Sequence, residues 1–193
     1  MTKTRLEAFS DGVLAIIITI MVLELKPPHG TNWEVIRPLM QHLISYIISF
    51  CLIGIYWGNH HHLMHAVTYV NSRMIWANLH LLFWLSLIPF VTAWMGENNF
   101  SSITLAVYAC MQLLAGQAYY ILLKVIMNTI PKNSPLVIPL EKQAKKGLIS
   151  FLLFGAAIPA AFINWWIPLI IFTLIAFSWW MPDRNIENTV KGE

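Results

Sequence analysis

The chain has 193 residues, of which 58% are hydrophobic and only 11% are charged. A soluble domain carries about 25% charged residues, so this composition excludes an ordinary water-soluble domain and a disordered chain. The net charge is +3 and the basic residues form no dense patch, which excludes a nucleic-acid-binding protein. The composition therefore predicts an integral membrane protein.

Six apolar runs follow one another along the chain, each without lysine or arginine in its middle. Since a membrane span needs about 20 apolar residues, the runs predict an all-α protein with six transmembrane helices. They form one domain over residues 1–182, followed by a short cytoplasmic tail over 183–193. The segment 124–146 is expected to be the longest loop and partly irregular. The runs cover residues 8–25, 36–57, 74–95, 102–123, 147–164 and 165–182.

The positions of lysine and arginine predict the orientation in the membrane. If the N-terminus is inside, the inner segments hold ten of the twelve basic residues and the outer segments hold two, Lys26 and Arg37. Cytoplasmic loops carry the excess of lysine and arginine in membrane proteins. Both termini are therefore expected in the cytoplasm.

The first run carries the clearest pattern, with spacings of three and four that place a set of residues on one helix face. Any membrane helix shows an aliphatic stripe, so the spacing alone does not assign a function. The inner end is more informative, because Ser10 and Asp11 lie near the membrane, where an ionisable group is usually paired or faces water. A carboxylate there would also attract cations. The face comprises Arg5, Phe9, Gly12, Ile16, Thr19 and Leu23, with Ile20 beside Thr19.

A histidine-rich segment follows the second run, with Asn59-His60-His61-His62 and then His65. His60 is expected to form hydrogen bonds at the cytoplasmic interface, with Ser10 or Asp11 as possible partners. His61 and His65 are four residues apart, a helical spacing that is compatible with a metal ion. Since histidine titrates near neutral pH, the cluster could instead sense pH. The chain has no second histidine box, so no catalytic metal is predicted.

The segment Arg5-Leu6-Glu7-Ala8-Phe9-Ser10-Asp11 matches the R-x-x-x-F-S-D signature that begins the first helix in the transmembrane protein 175 family of potassium channels. The following Gly12 to Ile20 and Leu23-Glu24-Leu25 also resemble that family. So do Tyr56-Trp57-Gly58-Asn59-His60-His61 and Leu87-Ile88-Pro89-Phe90. The resemblance is specific over the first three helices, and the single six-helix unit is similar to the bacterial branch.

This resemblance implies a potassium-preferring cation channel rather than an enzyme, with passive permeation through a symmetric homotetramer in the bacterial inner membrane. The first helix of each copy would line the pore. No cofactor is implied beyond the permeant potassium ion, and the partners are the bilayer, monovalent cations and further copies of the chain. At the positions that match the family's constriction, this chain has Ile16, Ile20 and Leu23. At the position of the threonine that bears on potassium preference in the family, it has Thr19. The signature and helix-packing residues are Arg5, Phe9, Ser10, Asp11, Trp57 and His60.

An ion- or proton-coupled transporter is the alternative function. Carriers usually have broken helices or ionisable groups near the membrane midplane, whereas the middle of the first helix holds only Thr19 as a polar residue. The chain also lacks a T-V-G-Y-G loop, so a filter lined by backbone carbonyls is not encoded. Any selectivity must therefore come from side chains on the helices.

Overall fold

The structure is a computed structural model that describes residues 1–27 and 33–180. The predicted tail over 183–193 lies outside these residues. Within them, all regular secondary structure is helical. The helices are α1 (Lys3–Leu23), α2 (Trp33–His65), α3 (Ser72–Ser86), α4 (Ile88–Glu97), α5 (Ser102–Met127), α6 (Val137–Ala160) and α7 (Trp166–Trp180).

Local side chains fix where α1 and α3 begin. The Thr2 hydroxyl accepts a hydrogen bond from the Arg5 backbone N–H at 3.4 Å, and the Asn71 side chain accepts one from the Met74 N–H at 2.9 Å. Both residues have extended backbone conformations, as expected of a helix N-cap. The start of α1 just before Arg5 places the whole signature segment on one regular helix.

The third apolar run forms two helices rather than the single helix that we predicted over 74–95. α3 ends at Ser86 and α4 starts at Ile88, with Pro89 in its first turn. Proline is tolerated at the first positions of a helix because its missing N–H has no partner there, but deeper in a helix its ring disrupts the preceding turn. Pro89 is therefore the residue in the sequence that indicates the break between α3 and α4.

Two further boundaries differ from the sequence prediction. α2 continues to His65, so the histidine segment lies inside this helix instead of after it. α5 continues to Met127 and α6 already begins at Val137, so the connecting segment is 128–136 and not 124–146. Pro139 falls in the first turn of α6, where it does not interrupt the helix.

Four stretches among the described residues are long and apolar enough to cross a membrane: Lys3–Leu23, Leu39–His65, Ser72–Glu97 and Ser102–Met127. α7 is also apolar but has only 15 residues. Its described residues extend for roughly 22 Å at about 1.5 Å per residue. α6 carries Lys142, Lys145 and Lys146 in its first half. Length and composition alone thus support four spans.

The packing leaves α1 at the edge of the helix bundle. α5 packs against α3, α4 and α6, while α2 packs against α4 and α7. α6 and α7 pack against each other. α1 contacts α2, α3 and α4 and is covered on one side only. Its other side is available for contacts outside the chain.

Candidate functional site: the exposed face of the first helix

α1 has one buried and one exposed face. The buried residues recur at helical spacing and pack against the rest of the chain: Leu6, Ser10, Leu14, Ile17 and Met21. The face predicted from the sequence is exposed along its whole length, from Arg5 and Phe9 to Leu23. We call Gly12, Ile16, Thr19, Ile20 and Leu23 the α1 stripe. It holds no charged side chain, although nothing within the described chain covers it.

The three predicted constriction residues are the large apolar members of the α1 stripe. Ile16 is 58% exposed, Ile20 is 42% exposed and Leu23 is 76% exposed. The neighbouring Ile17 and Met21 are almost fully buried, so the exposure follows the helix period and not the end of the helix. Such a periodic face must meet lipid, another copy of the chain or a pore.

Thr19 is the only polar side chain on the α1 stripe. Its hydroxyl donates to the Ile16 backbone carbonyl at 2.9 Å. This bond uses the hydroxyl proton and leaves the oxygen lone pairs free to point outward. Thr19 can therefore offer an oxygen acceptor at a face that otherwise offers only hydrocarbon.

A groove of about 610 Å³ runs beside the α1 stripe, between α1 and α4. Ile16 and Ile20 form one wall, and Phe90 and Trp94 form the other. Glu24 and Glu97 both line the same groove, and each lies at the C-terminal end of its helix. The groove is thus apolar along its length, with two carboxylates at one end.

A chain of buried hydrogen bonds fixes the opposite face of α1. The Asn78 Nδ2 donates to the Ser10 Oγ at 2.9 Å, and the Asn78 Oδ1 lies 2.8 Å from the His60 Nε2. The Ser10 hydroxyl in turn donates to the Leu6 carbonyl at 2.9 Å. All three polar residues are buried, so α1, α2 and α3 are joined at one point. We expected His60 to contact Ser10 or Asp11; the structure places Asn78 between His60 and Ser10.

Asp11 makes a second contact between α1 and α2. The Trp57 indole Nε1 donates to the Asp11 Oδ1 at 3.0 Å. Both residues belong to the resemblance segments, and both are exposed. Arg5 and Phe9 differ from Ser10 and Asp11, because their side chains form no hydrogen bond with another described residue. The signature segment is thus divided between contacts within the chain and side chains left for another partner.

Removal of the Asp11 carboxylate is expected to lower the yield of assembled protein. In Asp11→Ala the Trp57 N–H loses its acceptor and α1 loses one of its two polar contacts with α2 and α3, which costs about 1 kcal/mol. Asp11→Asn retains an acceptor oxygen and is the matched control, so it should assemble as the wild type does. Size-exclusion chromatography of both variants measures the outcome. Normal oligomers of Asp11→Ala with only a smaller cation current would instead make Asp11 an electrostatic attractor.

A second buried polar cluster surrounds the hydroxyl group of Tyr108. The Ser49 Oγ lies 2.8 Å from the Tyr108 hydroxyl and accepts from the Thr92 hydroxyl at 2.7 Å. The Gln112 Nε2 donates to the same Tyr108 hydroxyl at 3.1 Å. These bonds join α2, α4 and α5 away from the α1 stripe. Tyr108 lies in an apolar run and gives no periodic signal of its own, so no sequence pattern identifies this cluster.

These features define a helical membrane protein with an uncharged exposed face on its first helix. Comparison with known proteins agrees with this class. Residues 5–89 match the family model of the endosomal/lysosomal potassium channel TMEM175. The chain is 46% identical over 191 residues to a potassium channel from Chryseobacterium sp. strain P1-3, and the match covers 99% of both chains. The chain therefore belongs to the TMEM175 family, and it is not an enzyme.

More distant relatives and a solved structure extend this comparison. The chain is 28% identical over 126 residues to the endosomal/lysosomal proton channel TMEM175 of Gallus gallus, with 58% of this chain and 25% of that protein covered. The crystal structure of a lysosomal potassium-selective channel TMEM175 homolog from Chamaesiphon minutus superposes with a TM-score of 0.76 at 25% identity. That match covers 92% of this chain and 95% of the other. The family resemblance and the helical membrane fold predicted from the sequence are confirmed.

Proposed function

We propose that this chain is a potassium-preferring ion channel whose pore is lined by α1 from several copies. The observation that carries this proposal is the α1 stripe, because its exposed residues are apolar except for one hydroxyl and lie opposite the buried face. The relative from Chryseobacterium is a potassium channel, and the structure from Chamaesiphon minutus is described as potassium-selective. Permeation is passive, and the membrane is the bacterial inner membrane.

The channel is a symmetric homotetramer with both termini in the cytoplasm and six spans per chain. Support for an assembly comes from the groove between α1 and α4, whose wall residue Phe90 is 66% exposed. The α4 wall of this groove, formed by Phe90 and Trp94, gives a neighbouring helix an apolar surface to pack on. Arg5 and Phe9 are then available to a neighbouring copy at the inner end. Four copies place the α1 stripe around one axis.

Ile16, Ile20 and Leu23 form the constriction in this arrangement. Copies of each residue around an axis make stacked apolar rings about one helix turn apart. A narrow apolar ring disfavours water, and a cation that loses its hydration there gains nothing in return. The rings therefore set the barrier to permeation and act as the gate. At the outer end, Glu24 and Glu97 raise the local concentration of cations.

Thr19 supplies the selectivity. Its hydroxyl oxygen lies between the Ile16 and Leu23 rings and, with its proton bonded to the Ile16 carbonyl, presents lone pairs to a partly dehydrated cation. One hydroxyl layer replaces only part of a hydration shell, so the preference for potassium over sodium is modest. A proton pathway has less support in this chain, because the α1 stripe holds no titratable side chain.

Replacing Thr19 with valine is expected to lower the potassium-to-sodium permeability ratio toward one. Valine has nearly the same shape but lacks the hydroxyl, so the change removes the oxygen ligand without widening the pore. Bi-ionic recordings in planar bilayers measure the ratio from the reversal potential. Thr19→Ser retains the hydroxyl and is the control that should keep the ratio. An unchanged ratio in Thr19→Val would mean that Thr19 does not set selectivity.

A further inference from the structure

His61 and His65 form a close pair on one face of α2, apart from the α1 stripe. Their Nε2 atoms lie 3.1 Å apart, and their rings meet edge to face at 87° with centroids 4.6 Å apart. Both side chains are exposed and lie in the last turns of α2. The positions of lysine and arginine predict that this end of α2 is cytoplasmic, so the two nitrogens can be reached from water. At this distance one ring N–H donates to the other ring nitrogen. When both rings carry their proton on Nδ1, both Nε2 lone pairs are available to a metal ion.

The distance between the two nitrogens fits a common metal ligand geometry. With metal–nitrogen bonds of 2.0–2.1 Å, two ligands of one ion are separated by roughly 2.9–3.4 Å, from octahedral to tetrahedral angles. The observed 3.1 Å falls inside this range. Two histidines four residues apart on a helix is also the spacing by which a helix supplies two ligands to zinc. The ion could therefore bind without a change in the backbone of α2.

The surroundings hold the His61 ring in place. The Trp57 ring stacks on it at 6.1 Å and 24°, and the Trp57 indole is itself bonded to Asp11 of α1. A positioned ring loses less freedom when it binds an ion. An ion bound to His61 would lie next to Trp57, the side chain that connects α2 to Asp11 of α1.

We propose that His61 and His65 form a binding site for a divalent transition-metal ion of the zinc, nickel or copper class. No group of three or more histidine, cysteine or carboxylate ligands occurs among the described residues, so water fills the remaining ligand positions. With only two protein ligands, the affinity for the ion is modest. Among the divalent metals it follows the Irving–Williams order, so copper binds more tightly than nickel or zinc. Magnesium and calcium prefer oxygen ligands and do not bind there. This site does not depend on the proposed channel function.

Titration of the purified, tag-free protein with NiCl₂ in an isothermal calorimeter tests the site. The wild type is expected to bind one nickel ion per chain, and MgCl₂ is expected to give no heat of binding at the same concentrations. His61→Gln and His65→Gln should each weaken nickel binding by at least about tenfold, since even loss of a group that only supports a ligand costs 10–100-fold. Both residues are exposed, so both variants should keep the wild-type elution volume.

His80→Gln is the matched control, because His80 is another helical histidine whose Nε2 accepts from the Trp84 indole at 2.8 Å. It should bind nickel as the wild type does. Three results would each overturn the proposal: no nickel binding by the wild type, wild-type affinity in either His61→Gln or His65→Gln, or an equal loss in His80→Gln. If one variant of the pair fails to fold, the other decides the outcome.

Discussion

Replacing Ile16 with asparagine is expected to increase the potassium current at least about tenfold and to weaken selectivity. In the proposed pore, asparagine brings a polar amide to the apolar ring of Ile16, so water enters and a cation keeps more of its hydration. A barrier lowered by about 1.4 kcal/mol gives a tenfold faster passage. Ile16→Ala should act in the same direction but more weakly, because it widens the ring without adding a polar group. Single-channel recording in planar bilayers measures both variants.

The control for Ile16 is Ile170 of α7, which has the same side chain and a similar exposure of 54%. Under the proposed arrangement Ile170 faces lipid, so Ile170→Asn should lower the stability of the protein and leave the single-channel current unchanged. Equal currents for Ile16→Asn, Ile16→Ala and the wild type would remove α1 from the pore. An increase in Ile170→Asn as large as that in Ile16→Asn would show that the effect is not specific to the α1 stripe.

Replacing Asn78 with leucine is expected to lower the free energy of unfolding by about 1–3 kcal/mol. The side chain is fully buried and joins Ser10 to His60, so leucine leaves the His60 nitrogen buried without a partner. Interhelix hydrogen bonds in membranes contribute only ~0.6 kcal/mol on average, so most of the cost comes from the unpaired imidazole. Thermal unfolding in detergent should show a midpoint lowered by several degrees.

Two further variants separate this explanation from a simple loss of packing. The double variant Asn78→Leu with His60→Leu removes both polar partners and should recover part of the lost stability, because apolar replacement of a whole pair is nearly neutral. Asn98→Leu changes an exposed asparagine, whose side chain bonds only to the Trp94 carbonyl, and should alter stability by less than about 0.5 kcal/mol. A wild-type midpoint for Asn78→Leu would mean that the Ser10–Asn78–His60 chain does not hold α1.

The sequence predicts the exposed face of α1 well because a single helix period decides it. The residues of this face, from Arg5 to Leu23, follow one another at spacings of three and four residues. The structure leaves the face uncovered by the rest of the described chain. The position of His60 near Ser10 could also be anticipated, since Ser10 lies near the start of the first helix and His60 near the end of the second, and consecutive antiparallel helices bring these ends together. Asn78 could not be assigned to them, because the rotation of α3 about its axis depends on packing that no local pattern contains.

The prediction failed where a local signal competes with the helix period. Prolines and lysines in 124–146 suggested a loop, yet Gln143 is buried in α6 and its Nε2 donates to the Tyr119 hydroxyl at 2.9 Å and to the Asn59 Oδ1 at 3.0 Å. Tertiary contacts with α2 and α5 therefore stabilise a helix that the composition does not favour. Likewise, apolar content alone concealed the break before Pro89.

Single-channel recording of the wild-type protein in a planar bilayer, with potassium on one side and sodium on the other, tests the proposed function most directly. A pore lined by the α1 stripe should give discrete current steps without any proton gradient, and the reversal potential should shift toward that of potassium. The contradictory result is an absence of discrete steps in a protein that moves potassium into vesicles only when a proton gradient is applied, since that behaviour belongs to a coupled transporter.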